Sequence, residues 1–213
     1  MAKLVNGILG GFSGKVGTVV GACWKGIDYI RSLAASITNP RTPAQLEQRA
    51  RFTLIITFLR SLTAFLRIGF RGAALKMSAF NAAMAYNVKN AIKGTYPNYE
   101  IDFTKVLLAQ GSLAGALNPA VDSTTPGKVD FTWADNSDQP NAMEDDQAFL
   151  VVHEPISKRS FTILGGAARQ ALADSITLPE YLSGTQVHCY IGFTNANESE
   201  VSDSVYVAAL IVA

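Results

Sequence analysis

The sequence predicts an α+β fold in which glycine-rich strands and two helices precede an antiparallel β-sandwich. Three observations support this prediction: frequent glycine near the N-terminus, apolar residues at helical spacing between residues 43 and 92, and about seven short strand-like segments after residue 100. The change of period near residue 100 predicts two domains, a basic domain over residues 1–100 and an acidic sandwich over residues 101–213.

The first 26 residues are rich in glycine and predict a β-hairpin. The expected strands are Lys15–Trp24 and Ile27–Ser32, joined by a turn at Lys25-Gly26. Glycine inside a strand often marks a close approach of two backbones or a bulge. Because glycine has no side chain to pack, we expect the hairpin to need a covering surface from its own chain or from another copy.

A helical hairpin is predicted next, after a boundary at residues 36–43. Thr42 has the properties of an N-cap, with Pro43 at the first helical position and Gln45 three residues after the cap. On a helical wheel, arginine and threonine share one face of residues 49–71, opposite large apolar side chains. A second helix is expected from about Ala73 to Ile92, with Gly94 as its C-cap.

The segments after residue 100 have the length and spacing of sandwich strands. The expected strands are Val129–Trp133, Ala148–His153, Arg159–Leu164, Gln170–Leu178, Gln186–Thr194 and Ser204–Val212, with Lys105–Gln110 as a further candidate. Phe131-Thr132-Trp133, Leu178, Tyr190–Phe193 and Val201–Tyr206 resemble a fibronectin type III or immunoglobulin-like module. This resemblance covers roughly the last 110 residues and implies a fold, since such sandwiches have many functions.

The N-terminal half carries a second resemblance. Its motifs are Ala2–Ile8, Phe12–Gly17, Trp24–Gly26, Tyr29–Arg31 and Asn39–Gln45. They are similar to an uncharacterised family of bacterial and phage-associated proteins, which also has a sandwich-like C-terminal part. The resemblance implies no activity, because that family has no assigned function.

Charge is divided unevenly along the chain. Residues 1–95 contain 13 Lys/Arg against 2 Asp/Glu, a net charge of +11, whereas residues 96–213 contain 5 against 15, a net charge of −10. Such asymmetry indicates an acidic partner or self-association. Charged residues make up only 16% of the chain, against about 25% in typical soluble proteins, which also favours a homo-oligomer.

The arginine face is the best candidate contact surface. We expect it to contact another copy or a polyanion through Arg49, Arg60, Arg67 and Arg71, because guanidinium groups bind carboxylates and phosphates. Three interpretations stay open: contact with the acidic sandwich of a neighbouring copy, binding to nucleic acid, or a solvated helix face. The pI of 7.7 argues against nucleic acid. The expected oligomer core consists of Trp24, Phe58, Leu62 and Phe65.

Motifs for nucleotide binding and catalysis are weak. Gly14-Lys15 does not belong to a P-loop motif. That motif requires a glycine at the position of Leu9 and Ser or Thr at the position of Val16. His153 and His188 have no zinc-ligand spacing, although a triad formed by distant residues stays open.

An acidic segment is the one candidate for a cation site. The carboxylates that could bind calcium are Glu144, Asp145 and Asp146, together with Asp135 and Asp138. We expect these residues to form a solvated acidic loop rather than a calcium site. We therefore predict no enzyme activity, no cofactor, no metal and no small-molecule substrate.

Targeting signals are also weak. Residues 4–12 are apolar but contain Asn6 and three glycines, unlike a secretory signal. The apolar stretch 52–66 is interrupted by Arg60 and is shorter than the ~18 residues of a membrane span. We therefore expect no membrane span, and a cytoplasmic or virion location rather than secretion. Cys23 and Cys189 are compatible with free thiols or a buried pair.

Together these features predict a non-enzymatic, self-assembling structural protein of a phage particle or a cell-associated assembly. The N-terminal domain would form the homo-oligomer and the sandwich would be displayed. The alternative is a nucleic-acid-binding accessory protein that uses the arginine face. A third interpretation, a surface-binding sandwich, has only Tyr181 and Tyr206 as aromatic candidates.

Overall fold

The computed structural model describes residues 3–4, 10–36, 39 and 41–213. Most of the apolar segment 4–12, with Leu9, and part of the boundary 36–43 lie outside the described residues. The chain forms two compact units, Met1–Gln45 and Leu46–Ala213. The larger unit thus begins far before residue 101, because the helices share a core with the strands of the sandwich.

The N-terminal unit is an antiparallel sheet with the strand order β1 (Lys3–Leu4), β2 (Phe12–Val16), β3 (Val19–Trp24) and β4 (Ile27–Ser32). The predicted turn at Lys25-Gly26 is confirmed, with φ values of 50° and 80°. The single strand expected over 15–24 is wrong. Gly17, with a φ of 57°, starts a second two-residue turn that separates β2 from β3.

Three helices follow, α1 (Pro43–Arg60), α2 (Thr63–Gly69) and α3 (Ala79–Asn90). Thr42 caps α1 as predicted, because its Oγ1 accepts a hydrogen bond from the Gln45 amide at 3.4 Å. The continuous helix expected up to residue 71 is wrong, since α1 and α2 meet at 91°. Two hydroxyls satisfy backbone carbonyls at the break: Ser61 donates to the Phe58 carbonyl at 3.0 Å and Thr63 donates to the Arg60 carbonyl at 2.9 Å. Such side-chain bonds to the backbone favour bends in helices.

The third helix is shorter than the expected 73–92 at both ends. It begins after Ser78, whose Oγ accepts from the Asn81 amide at 3.1 Å. After it, β5 (Ile92–Thr95) and β6 (Asn98–Ile101) form a hairpin that the sequence analysis missed. Gly94, with a φ of 87°, therefore lies in a strand and is not a C-cap.

The sandwich has seven strands: β7 (Leu117–Asp122), β8 (Lys128–Ala134), β9 (Gln147–Glu154), β10 (Arg159–Ile163), β11 (Ala173–Thr177), β12 (Gln186–Thr194) and β13 (Val205–Ile211). Two antiparallel sheets result, with the orders β11-β8-β7 and β10-β9-β12-β13. This confirms the α+β class and the immunoglobulin-like sandwich. The strand expected at 105–110 is absent, and a short 3-10 helix, Phe103–Lys105, ends at the first residue of this segment.

The four-stranded sheet of the sandwich, β10-β9-β12-β13, is buried on both faces. One face meets the other sheet through side chains such as Leu150 and Ile191, which pack against Phe131. The opposite face carries Phe149 and other apolar residues that pack against the helices. The rings of Phe149 and Phe65 meet edge to face, with centroids 5.2 Å apart. The helices thus form a third layer over the sandwich.

No single helix within the described ranges is long and apolar enough to cross a membrane. The bent pair α1 and α2 together has the length and composition of a membrane span.

Candidate functional site

The predicted arginines do not form one stripe. Arg49, Arg60, Arg67 and Arg71 are all exposed, but the bend of 91° between α1 and α2 ends the surface that a straight helical wheel describes. Arg71 donates to the Glu198 carbonyl in the loop between β12 and β13 at 2.9 Å. Arg49 is the member that lines a cleft.

Three residues of the expected oligomer core face the interior of their own chain. Phe58, Leu62 and Phe65 are buried in the core between the helices and the sandwich. Their assignment to an interface with another copy is therefore wrong, because the chain's own strands already cover them. Trp24 differs, since 52% of its surface is exposed.

Trp24 belongs to an exposed set of large side chains in the N-terminal unit. This set, which we call the N-terminal apolar surface, extends over both faces of the sheet, because side chains alternate along each strand. It consists of Val16, Trp24, Ile27, Tyr29, Ile30 and Leu33. Among the described residues of this unit, only Gly21 is buried. A Cβ atom at Gly21 would lie 2.1 Å from the carbonyl oxygen of Phe12, which confirms the predicted close approach of two strands.

A second candidate site is a cleft of about 890 Å³ between α1, the β5–β6 hairpin and strands β9 and β12. Its exposed lining residues include three cations, Arg49, Lys93 and Lys158, and one carboxylate, Glu100. Its less exposed lining includes four rings: Phe58, Phe103, His153 and His188. We call this site the cationic cleft.

The two histidines of the cleft are directly opposite each other on β9 and β12. The ring of His188 stacks on Phe103, with centroids 3.8 Å apart and an interplanar angle of 18°. Nδ1 of His153 lies 2.8 Å from Oγ of Ser160, which in turn lies 2.7 Å from Oγ of Ser61. This chain of hydrogen bonds connects the cleft to the bend between α1 and α2.

Both imidazoles are uncharged at neutral pH. Burial lowers the pKa of His153 to about 4, and the neighbouring His188 acts in the same direction. Burial also lowers the pKa of His188. The charge of the cleft therefore comes from its three cations and Glu100, whose carboxylate lies 3.5 Å from the Lys93 ammonium.

The acidic segment is not a uniformly solvated loop. Asp146 is buried and pairs with Arg169 at 3.0 Å, and Asp135 accepts a hydrogen bond from the Ser137 amide at 3.0 Å. Within the described ranges, no group of three or more His, Cys, Asp or Glu side chains is arranged to hold a metal ion. Cys23 is exposed and Cys189 is buried, and both are free thiols.

Comparison with known proteins assigns the chain to a family. The model of a family of unknown function, DUF6266, matches residues 11–208. The chain belongs to this family. The match confirms the resemblance to an uncharacterised family, and it includes strands of the N-terminal unit together with the helices and the sandwich. No curated protein matches the chain.

Solved structures with similarity to this DUF6266 member contain fibronectin type III domains. One is the fn3 domain of the human collagen alpha-1(XX) chain, with 21% identity, a TM-score of 0.32 and coverage of 48% of this chain and 87% of that one. The chicken CNTN1 FN1–FN3 domains have 8% identity, a TM-score of 0.38 and coverage of 49% and 34%. The twitchin kinase region from C. elegans has 14% identity, a TM-score of 0.33 and coverage of 48% and 17%.

The cleft escaped the sequence analysis because its residues are far apart in the chain. Five different segments contribute to the lining, through Arg49, Lys93, Phe103, Lys158 and His188. The only local signal was the aromatic and histidine content of individual strands, which is ordinary for a buried sheet.

Proposed function

We propose that this protein is a non-enzymatic structural component that assembles with copies of itself through its N-terminal unit. The sandwich serves as a displayed module, in a phage particle or in a cell-associated complex. The observation that carries this proposal is the N-terminal apolar surface, an exposed set of large side chains on a sheet without a core of its own.

The energetics of this sheet support the proposal. Small sheets are stable when one face is covered by a helix or by another sheet. Here Trp24, Ile27 and Ile30 are 52%, 62% and 65% exposed. Full burial of an exposed apolar side chain contributes about 1.5–3 kcal/mol, so covering the exposed half of each of these contributes about half of that before the cost of association. Exposed apolar patches commonly mark interaction surfaces.

Light scattering tests this proposal. We expect a mass larger than 22.8 kDa at micromolar concentration and physiological salt. The double variant Trp24→Ser/Ile27→Ser should lower that mass. Ile156→Ser is a matched control, because Ile156 is 83% exposed but lies in the turn between β9 and β10. A wild-type protein that is monomeric under these conditions would contradict the proposal.

A second candidate function is binding to single-stranded nucleic acid in the cationic cleft. Proteins that bind single strands combine cationic side chains with aromatic rings on which bases stack. The cleft brings Arg49, Lys93 and Lys158 together with Tyr99 and Phe103, although these residues are not interleaved in the sequence. This combination of cations and rings in one cleft supports the second candidate, whereas the pI of 7.7 argues against it.

Filter binding of a labelled single-stranded oligonucleotide at two salt concentrations tests the second candidate. We expect retention at low salt that decreases steeply with added salt, as phosphate contacts require. Arg49→Gln should reduce retention, whereas Arg67→Gln, on α2 and outside the cleft, should not. An absence of retention at low salt would exclude this function.

A further inference from the structure

Strand β4 lies at one edge of the N-terminal sheet. It pairs with β3 on one side, and within the described part of the chain no strand pairs with its other side. All six of its residues, Ile27–Ser32, are exposed. An exposed, apolar edge strand is a template for pairing with another strand.

The outward backbone groups of β4 follow from one hydrogen bond. The Leu33 amide donates to the Thr18 carbonyl at 2.7 Å, on the side of β3. Because successive residues of a strand point their amides and carbonyls to opposite sides, those of Tyr29 and Arg31 also point toward β3. The amides and carbonyls of Asp28, Ile30 and Ser32 therefore point away from the sheet.

We propose that two copies of this chain join their N-terminal sheets through antiparallel pairing of β4 with β4, about a two-fold axis at Ile30. In this register Asp28 pairs with Ser32 of the second copy, and Ile30 pairs with Ile30 of the second copy. These pairs use the residues whose backbone groups point outward. They form about six hydrogen bonds across the interface.

The side chains of this register complement each other. Tyr29 lies beside Arg31 of the second copy, where the guanidinium can stack on the phenol ring. Ile27 lies beside Leu33 of the second copy, and the carboxylate of Asp28 can accept a hydrogen bond from the hydroxyl of Ser32. Cross-strand pairs of these types stabilise antiparallel sheets.

Neighbouring registers are worse. An axis at Tyr29 places Asp28 opposite Ile30 and Ile27 opposite Arg31, so that polar and apolar side chains meet. An axis at Arg31 places two arginines opposite each other, and like charges in this position are destabilising. The order of side chains in β4 thus selects the axis at Ile30.

The inference rests on the proposed self-assembly and names its partner and register. A two-fold interface uses the same surface on both copies. Pairing through β4 therefore occupies the β4 edge of each copy, and the assembly closes at a dimer. Higher assemblies would then need a different surface.

Single cysteines read the register directly. Opposing residues in a hydrogen-bonded antiparallel pair have Cα atoms about 5.5 Å apart, within the range of disulfides. In a Cys23→Ser background, which leaves only the buried Cys189, we expect Ile30→Cys to form a covalent dimer under copper–phenanthroline oxidation. Tyr29→Cys and Arg31→Cys are matched controls, because both positions are exposed but lie away from the axis.

A proline variant tests the same interface without oxidation. In Ile30→Pro the lost amide points outward, so the pairing of β3 with β4 should survive. Loss of about two hydrogen bonds across the interface should weaken dimerisation about tenfold or more. Light scattering at several concentrations measures this change, and circular dichroism confirms the fold.

The outcomes separate the two proposals. Selective cross-linking at residue 30 with weakened association of Ile30→Pro supports the β4 dimer. Cross-linking that is strongest at residue 29 or 31, or equal at all three, overturns the register. An oligomer that persists unchanged in Ile30→Pro overturns the β4 interface but leaves self-assembly standing. A monomeric wild-type protein overturns both.

Discussion

The guanidinium of Arg169 lies 3.0 Å from the carboxylate of Asp146, and both side chains are buried. Arg169 also donates to Asn136 at 2.8 Å and to the Ala114 carbonyl at 3.0 Å, and it lies 3.9 Å from the ring centroid of Phe193. One cation thus joins segments that are far apart in the sequence. The acidic segment contributes a structural ion pair to the sandwich.

Removing one partner of this pair should be costly. Asp146→Ala leaves the Arg169 charge buried without its carboxylate, so we expect the free energy of unfolding to decrease by about 3–5 kcal/mol. Urea denaturation measures the change. The partly exposed pair of Lys128 with Asp130, at 2.7 Å, is the control, and Asp130→Ala should cost less than about 1 kcal/mol. Equal losses in the two variants would contradict the structural role of Arg169.

His153 should make stability depend on pH between about 6.5 and 4. Its pKa falls from 6.5 in the unfolded chain to about 4 in the folded protein, so in this range the unfolded chain binds the additional proton. Stability is therefore complete above pH 6.5 and decreases as the pH falls. His153 by itself should contribute a loss of about 2 kcal/mol between pH 7.5 and 5, since pH 5 lies about 1.5 pH units below 6.5 and each unit corresponds to about 1.4 kcal/mol. His188, whose pKa burial also lowers, adds to this loss.

Urea midpoints at pH 7.5 and pH 5 measure this dependence. His153→Gln cannot take up the proton and should have a smaller pH dependence than the wild type. Burial raises the pKa of Glu154, but hydrogen bonds from Ser157 outweigh this effect, so the pKa is lowered overall. Protonation of Glu154 therefore destabilises the folded protein at a lower pH than protonation of His153 does. An unchanged pH dependence in His153→Gln would show that another group is responsible.

Asn87 should be important for attaching α3 to the segment that leads into the sandwich. Its buried side-chain amide donates to the Leu107 carbonyl at 2.8 Å and accepts from the Leu107 amide at 3.0 Å. Asn87→Leu leaves both backbone groups without these partners, so we expect a loss of about 2–4 kcal/mol. The control is Asn90→Leu, because Asn90 is exposed and its side-chain amide donates to the Tyr86 carbonyl of the same helix. Similar urea midpoints for the two variants would contradict this prediction.

Trp24 should report assembly by fluorescence. Trp24 is half-exposed and Trp133 is buried, so acrylamide quenches mainly Trp24 in the free chain. If assembly covers the N-terminal apolar surface, quenching should increase as the protein is diluted. Trp24→Phe retains only Trp133, and its quenching should not depend on concentration. Wild-type quenching that is equally independent of concentration would mean that Trp24 stays uncovered.

Local patterns predicted much of the sandwich. The expected strand Gln186–Thr194 is confirmed at both ends, because alternating side chains and turn residues are properties of neighbouring positions. The strand β7 was missed because it contains Pro119, which cannot donate to a ladder. The hairpin of β5 and β6 was missed because Ile92 continued the apolar spacing of α3.

Sequence patterns likewise predicted some features of the candidate sites and missed others. The exposed position of the four arginines follows from their polarity. The composition of the glycine-rich strands predicts that they need a covering surface, and this stays a prediction. The cationic cleft depends on a bend between two helices and on the pairing of β9 with β12, which no local pattern describes.

Elements that depend on neighbouring residues followed from local sequence patterns: the turn at Lys25-Gly26, the N-cap at Thr42 and most of the sandwich strands. Which surface covers each apolar face depends on how the elements pack in three dimensions. Phe58, Leu62 and Phe65 became part of an intramolecular core, while Trp24 stayed exposed. The physical reason is that the hydrophobic effect is non-directional, so an apolar face shows that it must be buried but not against which surface.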